Sequence, residues 1–290
     1  MAGNTVWTIK KLIQWTTGFF EKHQIESPRL DAEILLAHVL HKSRIYLYTD
    51  FDLIVNPAEL AQYRSFLEKR VSGISTAAIV GEKNFMGLTF KVNEKVLIPR
   101  PDTETWLEKV IQYHRNEPDL KVADLGCGSG AILLSFLYYC KEDTGIGVDI
   151  SKDALQVAEE NGRLLKLDDR VNWIEGDYLT ALPSGGLDGI LSNPPYIPSG
   201  DIEGLQKEVK NEPLLALDGG KDGLDFYRKL AVSAAGYLKP GGFLAVEFGI
   251  HQAEDVVNLL KEKGEFDSFE VITDYGGIER AVYCRKKAVD

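Results

Sequence analysis

The sequence predicts an α/β protein: a doubly wound, mostly parallel seven-stranded sheet, preceded by a small all-helical domain that a β-hairpin joins to it. Three observations carry this expectation. From Lys121 onward, short apolar runs alternate with longer helical patterns, and alternating β and α elements form a mostly parallel sheet. Before about residue 73 only helical periodicity and helix-start signals occur. Between the two, Gly81 and Gly87 punctuate short extended runs, as a hairpin requires. The expected divisions are therefore 1–73, 74–104 and 105–290.

The chain of 290 residues has ample apolar content for a sizeable core. It carries 33 Lys and Arg against 44 Asp and Glu, a formal net charge of −11. Phosphate backbones are gripped by Lys and Arg, so this balance argues against DNA or bare RNA as the main substrate. Its three cysteines, Cys127, Cys140 and Cys284, are odd in number and lack metal-ligand spacing, which predicts neither a disulfide framework nor a metal site. Met1 to Lys10 is mixed polar, and no apolar run reaches spanning length; the expectation is a cytoplasmic protein with no membrane partner.

Val6, Ile9, Ile13, Phe19 and Phe20 predict an amphipathic helix over 5–24. Ser27-Pro28 offers a cap and a first-turn proline for a second helix to Leu40. Asn56-Pro57-Ala58-Glu59 starts a third, running to about Val71. His38 and His41 near one helix are read as ordinary residues rather than metal ligands. Ala77–Gly81, Asn84–Met86 and Leu88–Val92 supply the extended runs of the hairpin. In Val96 to Thr105, Pro99 and Pro101 keep the chain extended, and Asp102 or Thr103 can cap the following helix. Arg100, held between the prolines, suits either a salt bridge or a ligand contact.

Strands then follow at 121–125, 145–148, 171–175 and 187–190, continuing toward Asn193, and at 243–248, 269–273 and 280–284. Helices are expected at 131–139, 152–167, about 223–237 and 253–263.

The chemistry gathers at strand ends. Asn193-Pro194-Pro195-Tyr196 follows the fourth of these strands, where open α/β sheets place ligand chemistry. Two prolines make the loop stiff. The Asn193 side-chain oxygen and the carbonyl of Pro194 can both accept hydrogen bonds from one planar NH2 group while the Tyr196 ring packs on its face; taken alone, the stretch also fits a plain turn. Gly126-x-Gly128-x-Gly130 opens a helix N-terminus to close ligand approach, with Asp124 just before it. Asp149 ends the next strand, where a carboxylate can accept both hydroxyls of a ribose. Asp177 and Tyr178 end the third, suited to an adenine amino group and ring, although Asp177 also fits a helix cap. No Gly-Lys-Ser/Thr phosphate loop is present, which disfavours a nucleoside triphosphate.

Asp124-Leu125-Gly126-Cys127-Gly128-Ser129-Gly130, Asp149 and Asn193-Pro194-Pro195-Tyr196 together resemble the S-adenosylmethionine-dependent methyltransferases that alkylate planar NH2 groups. Ile98-Pro99-Arg100-Pro101-Asp102-Thr103-Glu104 resembles the junction signature of the peptide chain release factor glutamine methyltransferases. Leu30-Asp31-Ala32-Glu33, Asn211-Glu212-Pro213, Ala216-Leu217 and Gly276-Gly277-Ile278-Glu279-Arg280 are similar to the same family. Cys127 stands where that family often has Thr, at a position that contributes mainly backbone. The resemblance spans almost the whole chain. It implies a class I methyltransferase sheet and methyl transfer to the side-chain nitrogen of the glutamine in the Gly-Gly-Gln motif of class 1 release factors. It also implies a helical domain that recognises the release factor. The implied cofactor is S-adenosylmethionine, leaving S-adenosylhomocysteine, with no metal and no direct nucleic-acid contact. The implied cofactor set is Asp124, Gly126, Cys127, Gly128, Ser129, Gly130, Asp149, Asp177, Tyr178 and Asn193. Asn193, Pro194, Pro195 and Tyr196 would bind the substrate, with Asn193, Pro194 and Tyr196 catalytic. Glu212 and Glu247 remain outside the set as structural carboxylates or bases. An adenine-N6 methyltransferase, a non-catalytic cofactor-binding scaffold and a related enzyme acting on a ribosomal protein's glutamine are the alternatives, the first opposed by the net charge and the last by the Ile98-to-Glu104 run.

Overall fold

The computed structural model describes residues 6–183 and 185–288; Thr5 and the outermost residues of the expected domains lie outside them. The chain forms two compact units, Met1–Gly81 with Lys207–Asn211, and Glu82–Gln206 with Glu212–Asp290. The hairpin thus belongs to the larger unit, and five residues from late in the chain belong to the smaller. Neither assignment follows the expected divisions in sequence order.

The smaller unit is helical: α1 (Ile9–Lys22), α2 (Pro28–Val39), α3 (Tyr46–Thr49), α4 (Pro57–Ser72) and α5 (Thr76–Val80), with one further helical turn at Lys207–Lys210. Helix α1 starts later than expected because Thr8, in extended conformation, caps it by accepting the Lys11 N–H. Val6 is consequently exposed, and the buried stripe is Ile9, Leu12, Thr16 and Phe20. Ser27 makes no side-chain cap, so α2 starts on Pro28 alone. Helix α4 begins with the expected capping box: Asn56 accepts from Ala58 and Glu59, and Glu59 accepts from the Asn56 N–H. Of residues 77–81, expected to be extended, 77–80 lie in a helix that starts at Thr76. Ser75 caps Ala78 and Gly81, at φ +82°, closes the turn, so local capping overrides the β preference of Ile79 and Val80. Buried Arg70 joins Asp31 of α2 (2.7 Å) to Glu208 (2.6 Å).

The larger unit holds the hairpin β1 (Glu82–Phe85) and β2 (Leu88–Lys91). There follow α6 (Pro101–His114), β3 (Lys121–Leu125), α7 (Ala131–Tyr139), β4 (Thr144–Asp149), α8 (Lys152–Leu164), β5 (Val171–Glu175) and β6 (Leu187–Ser192). The last elements are α9 (Asp225–Tyr237), β7 (Leu238–Glu247), α10 (Ala253–Glu262), β8 (Phe266–Thr273) and β9 (Glu279–Lys286). Seven strands form one sheet, ordered β5-β4-β3-β6-β7-β9-β8. Strands β3 to β7 run parallel, and β9 is antiparallel to both β7 and β8. Side chains alternate along the strands. Ala123, Leu125, Ile190 and Val246 enter one core with α9 and α10, whereas Val122, Leu191, Phe243 and Ala245 enter the other with α6 and α7. Phe85 and Phe90 carry the hairpin into this second core.

Helix α6 starts at Pro101, ahead of the expected boundary at residue 105, with Arg100 in the N-cap position. Asp102 and Thr103 therefore lie inside the first turn and cannot cap it. Helix α8 stops three residues short of Leu167, where Lys166 takes φ +58°.

Candidate active site

Strand β3 is flanked by β4 on one side and β6 on the other, so the chain changes winding direction at its carboxyl end. A crevice opens at such a switch point. The turn after β3 and the loop after β6 meet there, tied by the Ser192 hydroxyl donating to the Leu125 carbonyl at 2.6 Å. A cavity of about 390 Å³ lies at these strand ends. Gly126, Gly128, Asp149, Asp177, Tyr178, Asn193 and Pro195 line it, with Leu97, Leu215, Asp218 and Lys229 among the remaining wall residues.

Gly126, Gly128 and Gly130 have φ of +72°, +55° and +76°, a conformation that glycine adopts without strain. Asp149 fixes this turn: its Oδ2 accepts the Gly128 N–H at 2.8 Å and its Oδ1 accepts the Ser151 N–H at 2.9 Å. Burial pushes the Asp149 carboxyl above its ordinary range, against the pull of these donors. Asp124 is fully buried. Its Oδ2 accepts the Leu133 N–H, and its Oδ1 has no hydrogen-bond partner among the described residues. Desolvation raises this carboxyl to about 7. An orphaned buried oxygen beside a glycine turn fits the ammonium end of an amino-acid-bearing cofactor, because an unpaired buried acceptor is costly until a donor reaches it.

Tyr178 lies against the glycine turn, its ring 3.4 Å from where a Cβ on Gly126 would stand, and packs edge-on against Phe226. Burial raises its hydroxyl to about 12. Asp177 occupies a cap position without capping; its carboxylate stands 3.9 Å from Lys229 in an exposed, weak pair.

The Asn193 loop is clamped from two sides. Ile197 donates to the Leu217 carbonyl and accepts from Gly219, and Gln252 Nε2 donates to the Tyr196 carbonyl at 3.0 Å. Inside the loop, Asn193 Nδ2 donates to Thr103 Oγ1 at 3.3 Å, and Thr103 donates to Glu247 Oε2 at 2.6 Å. Trp106 Nε1 donates to the same oxygen at 2.7 Å, and the Tyr196 hydroxyl stands 3.5 Å from Oε1. Burial raises both Glu247 and Tyr196 above their ordinary ranges.

Seven of the sequence-predicted residues therefore surround one cavity. Asp124, Cys127, Ser129 and Gly130 do not line it: Asp124 is fully buried, Cys127 is buried against Gly147, and a Cβ on Gly130 would meet Trp173 at 2.9 Å. Pro194 is buried, and Tyr196 packs toward the core rather than lining the cavity. Arg100 pairs with Glu212 at 2.7 Å, as its salt-bridge reading expects, and is not part of the wall. Sequence reasoning missed Gly219 and Gly223, Gln252 and Asn161. Asn161, fully buried, bonds both backbone groups of Lys91 and the Ser129 carbonyl, tying the hairpin to the glycine turn. Only the run Asp218-Gly219-Gly220 carried a local signal, as a turn.

Two family models match the chain: "PrmC N-terminal domain" over residues 11–81 and "Methyltransferase small domain" over 107–208. A release factor glutamine methyltransferase from Geobacter sulfurreducens is 41% identical over 96% of this chain and 96% of its own length. One from Moorella thermoacetica is 41% identical over 88% and 90%; one from Rhodopirellula baltica is 36% identical over 98% of both. The crystal structure of a methyltransferase from Pyrococcus furiosus shares the fold, with a TM-score of 0.51 at 19% identity over 79% of this chain and 98% of its own. Identity of this extent along both whole chains assigns the protein: it belongs to the release factor glutamine methyltransferases.

Proposed function

We propose that this chain methylates the side-chain nitrogen, N5, of the glutamine in the Gly-Gly-Gln motif of class 1 peptide chain release factors, using S-adenosylmethionine. The observation that carries this is the orientation of Asn193 at the cavity wall. Its Nδ2 is committed to Thr103, which leaves Oδ1 as the acceptor it offers to a substrate NH2.

When bound, S-adenosylmethionine supplies a methyl on a positively charged sulfur and leaves as S-adenosylhomocysteine. Gly126 and Gly128 allow its close approach, Asp149 suits the ribose hydroxyls, and Asp177 and Tyr178 suit the adenine edge and face. Asp124 Oδ1 suits the ammonium. An amide nitrogen is a poor nucleophile because its lone pair is delocalised into the carbonyl. Asn193 Oδ1 and the Pro194 carbonyl accept its two N–H groups, orient the nitrogen, and stabilise the positive charge that develops as it pyramidalises. Tyr196 backs the loop. In the net reaction the nitrogen exchanges one proton for the methyl, and positioning carries most of the rate.

The helical unit exposes the apolar side chains Trp15, Ile45, Tyr48 and Ile54, which are available to a protein partner. The net charge of −11 suits a partner with basic, RNA-contacting surfaces. Such a partner places the enzyme in the cytoplasm, without direct nucleic-acid contact. The test is incubation with labelled S-adenosylmethionine and either a class 1 release factor or nucleic acid, followed by mass spectrometry of the Gly-Gly-Gln peptide. A methyl on that glutamine is expected; label on nucleic acid alone would overturn the reading.

A further inference from the structure

We infer that Thr103 and Glu247 are positioning residues that determine which end of the Asn193 amide faces the substrate, with Glu247 acting as a fixed acceptor rather than as a base. The inference rests on the reading of Asn193 as the holder of a substrate NH2.

The direction of every hydrogen bond in this cluster follows from the Trp106 donor once Oε2 carries no proton, as in a carboxylate or in an acid protonated on Oε1 beside the Tyr196 hydroxyl. The Trp106 indole N–H can only donate, and it donates to Glu247 Oε2 at 2.7 Å. That oxygen is thereby an acceptor. Thr103 Oγ1 lies 2.6 Å from the same oxygen, so its single proton points at Glu247. Having spent that proton, Thr103 presents only lone pairs to its other neighbour, Asn193, at 3.3 Å. Asn193 must then turn its NH2 inward and its Oδ1 outward. The flipped amide would set two acceptors against each other in a buried pocket. The residues involved are far apart in sequence, yet the chain Trp106–Glu247–Thr103–Asn193 leaves one consistent arrangement.

Two opposite substitution results follow. In Glu247→Gln the amide oxygen takes the Oε2 position, because Trp106 rejects an NH2 there, and the new NH2 faces the Tyr196 hydroxyl 3.5 Å away. The arrangement survives, and kcat should stay within about threefold of wild type. A base role would instead require a loss of several orders of magnitude. In Thr103→Val the shape is kept but the relay is cut, so the Asn193 amide samples both faces. For that variant kcat should fall roughly tenfold to hundredfold with unchanged cofactor affinity, and Thr103→Ser should restore it.

The experiment reads orientation and turnover separately. The side-chain NH2 resonances of Asn193, assigned by their loss in Asn193→Asp, are followed by NMR for shift and hydrogen exchange in the wild type, Glu247→Gln, Thr103→Val and Thr103→Ser. Turnover on release factor is measured in parallel. Protected NH2 protons in the wild type, Glu247→Gln and Thr103→Ser, with protection lost in Thr103→Val, are the expected result. Unchanged protection in Thr103→Val, or an inactive Glu247→Gln with a native spectrum, would overturn the inference. A wild type with protected Asn193 protons that transfers no methyl to the glutamine would instead overturn the functional reading.

Discussion

Gly223 stands so close to Tyr196 that a Cβ on it would lie 2.3 Å from the Tyr196 carbonyl oxygen and 2.5 Å from the Gln252 side chain that bonds it. With φ at +77°, this glycine makes room for the outer clamp on the Asn193 loop. Gly223→Ala should cost about 1–2 kcal/mol of stability from backbone strain. It should also lower kcat on the order of 100-fold by displacing the loop, while isothermal titration shows cofactor affinity close to wild type. Normal turnover would mean the loop does not depend on this clamp.

Asp149 uses both carboxylate oxygens on backbone N–H groups, of Gly128 and Ser151. In Asp149→Asn one oxygen becomes an NH2 facing an N–H, so the glycine turn loses one anchor as well as a ribose acceptor. Cofactor affinity should fall by roughly tenfold or more, with the fold retained by circular dichroism. Unchanged affinity would remove Asp149 from the cofactor set.

Asp124 makes the cofactor-free protein's stability pH-dependent. Its folded carboxyl titrates near 7 because of burial, against an ordinary value of 3.8. A raised acid stabilises the folded state fully below its unfolded pKa, and the contribution is lost as pH rises through the folded value. Between pH 5 and pH 7, Asp124→Asn should therefore gain stability relative to wild type, by up to about 1.4 kcal/mol per pH unit, while binding cofactor more weakly. Thermal unfolding across that range checks both signs; a pH-independent difference would show that Asp124 is not the titrating group.

Asn161, itself fully buried, holds three backbone groups, the N–H and carbonyl of Lys91 and the carbonyl of Ser129. Asn161→Ala should cost about 2–4 kcal/mol, since each orphaned buried group carries a desolvation penalty. Chemical denaturation measures it, and a loss below about 1 kcal/mol would mean the hairpin holds without this side chain.

What was legible in the sequence is what local spacing encodes. Gly126-x-Gly128-x-Gly130 and Asn193-Pro194 each follow a strand, Asp149 ends one, and all three need only their neighbours to be recognised. The Asn56 capping box was legible for the same reason. The Thr103–Glu247 bond joins positions 144 apart and the Asn161–Lys91 bond positions 70 apart; no periodicity links such pairs. The helical turn at 76–80 was missed because five residues are too short to show a period, and its Ala-Ala-Ile-Val content suits a strand equally. Cys127 and Gly130 look like ligand-facing residues in the motif, yet packing against Gly147 and Trp173 explains their size.

Glu208 completes the partners of Arg70 although 138 residues separate them, and Lys207 and Asn211 donate to the carbonyls of Val71 and Ser72. The helical unit is thus not a cassette that can be cut at Gly81 and exchanged between relatives. A graft of residues 1–81 would arrive without the segment Lys207–Asn211 and leave a buried guanidinium short of one of its two carboxylates. A chimera that keeps the two stretches together should therefore be more stable to denaturant than one that splits them.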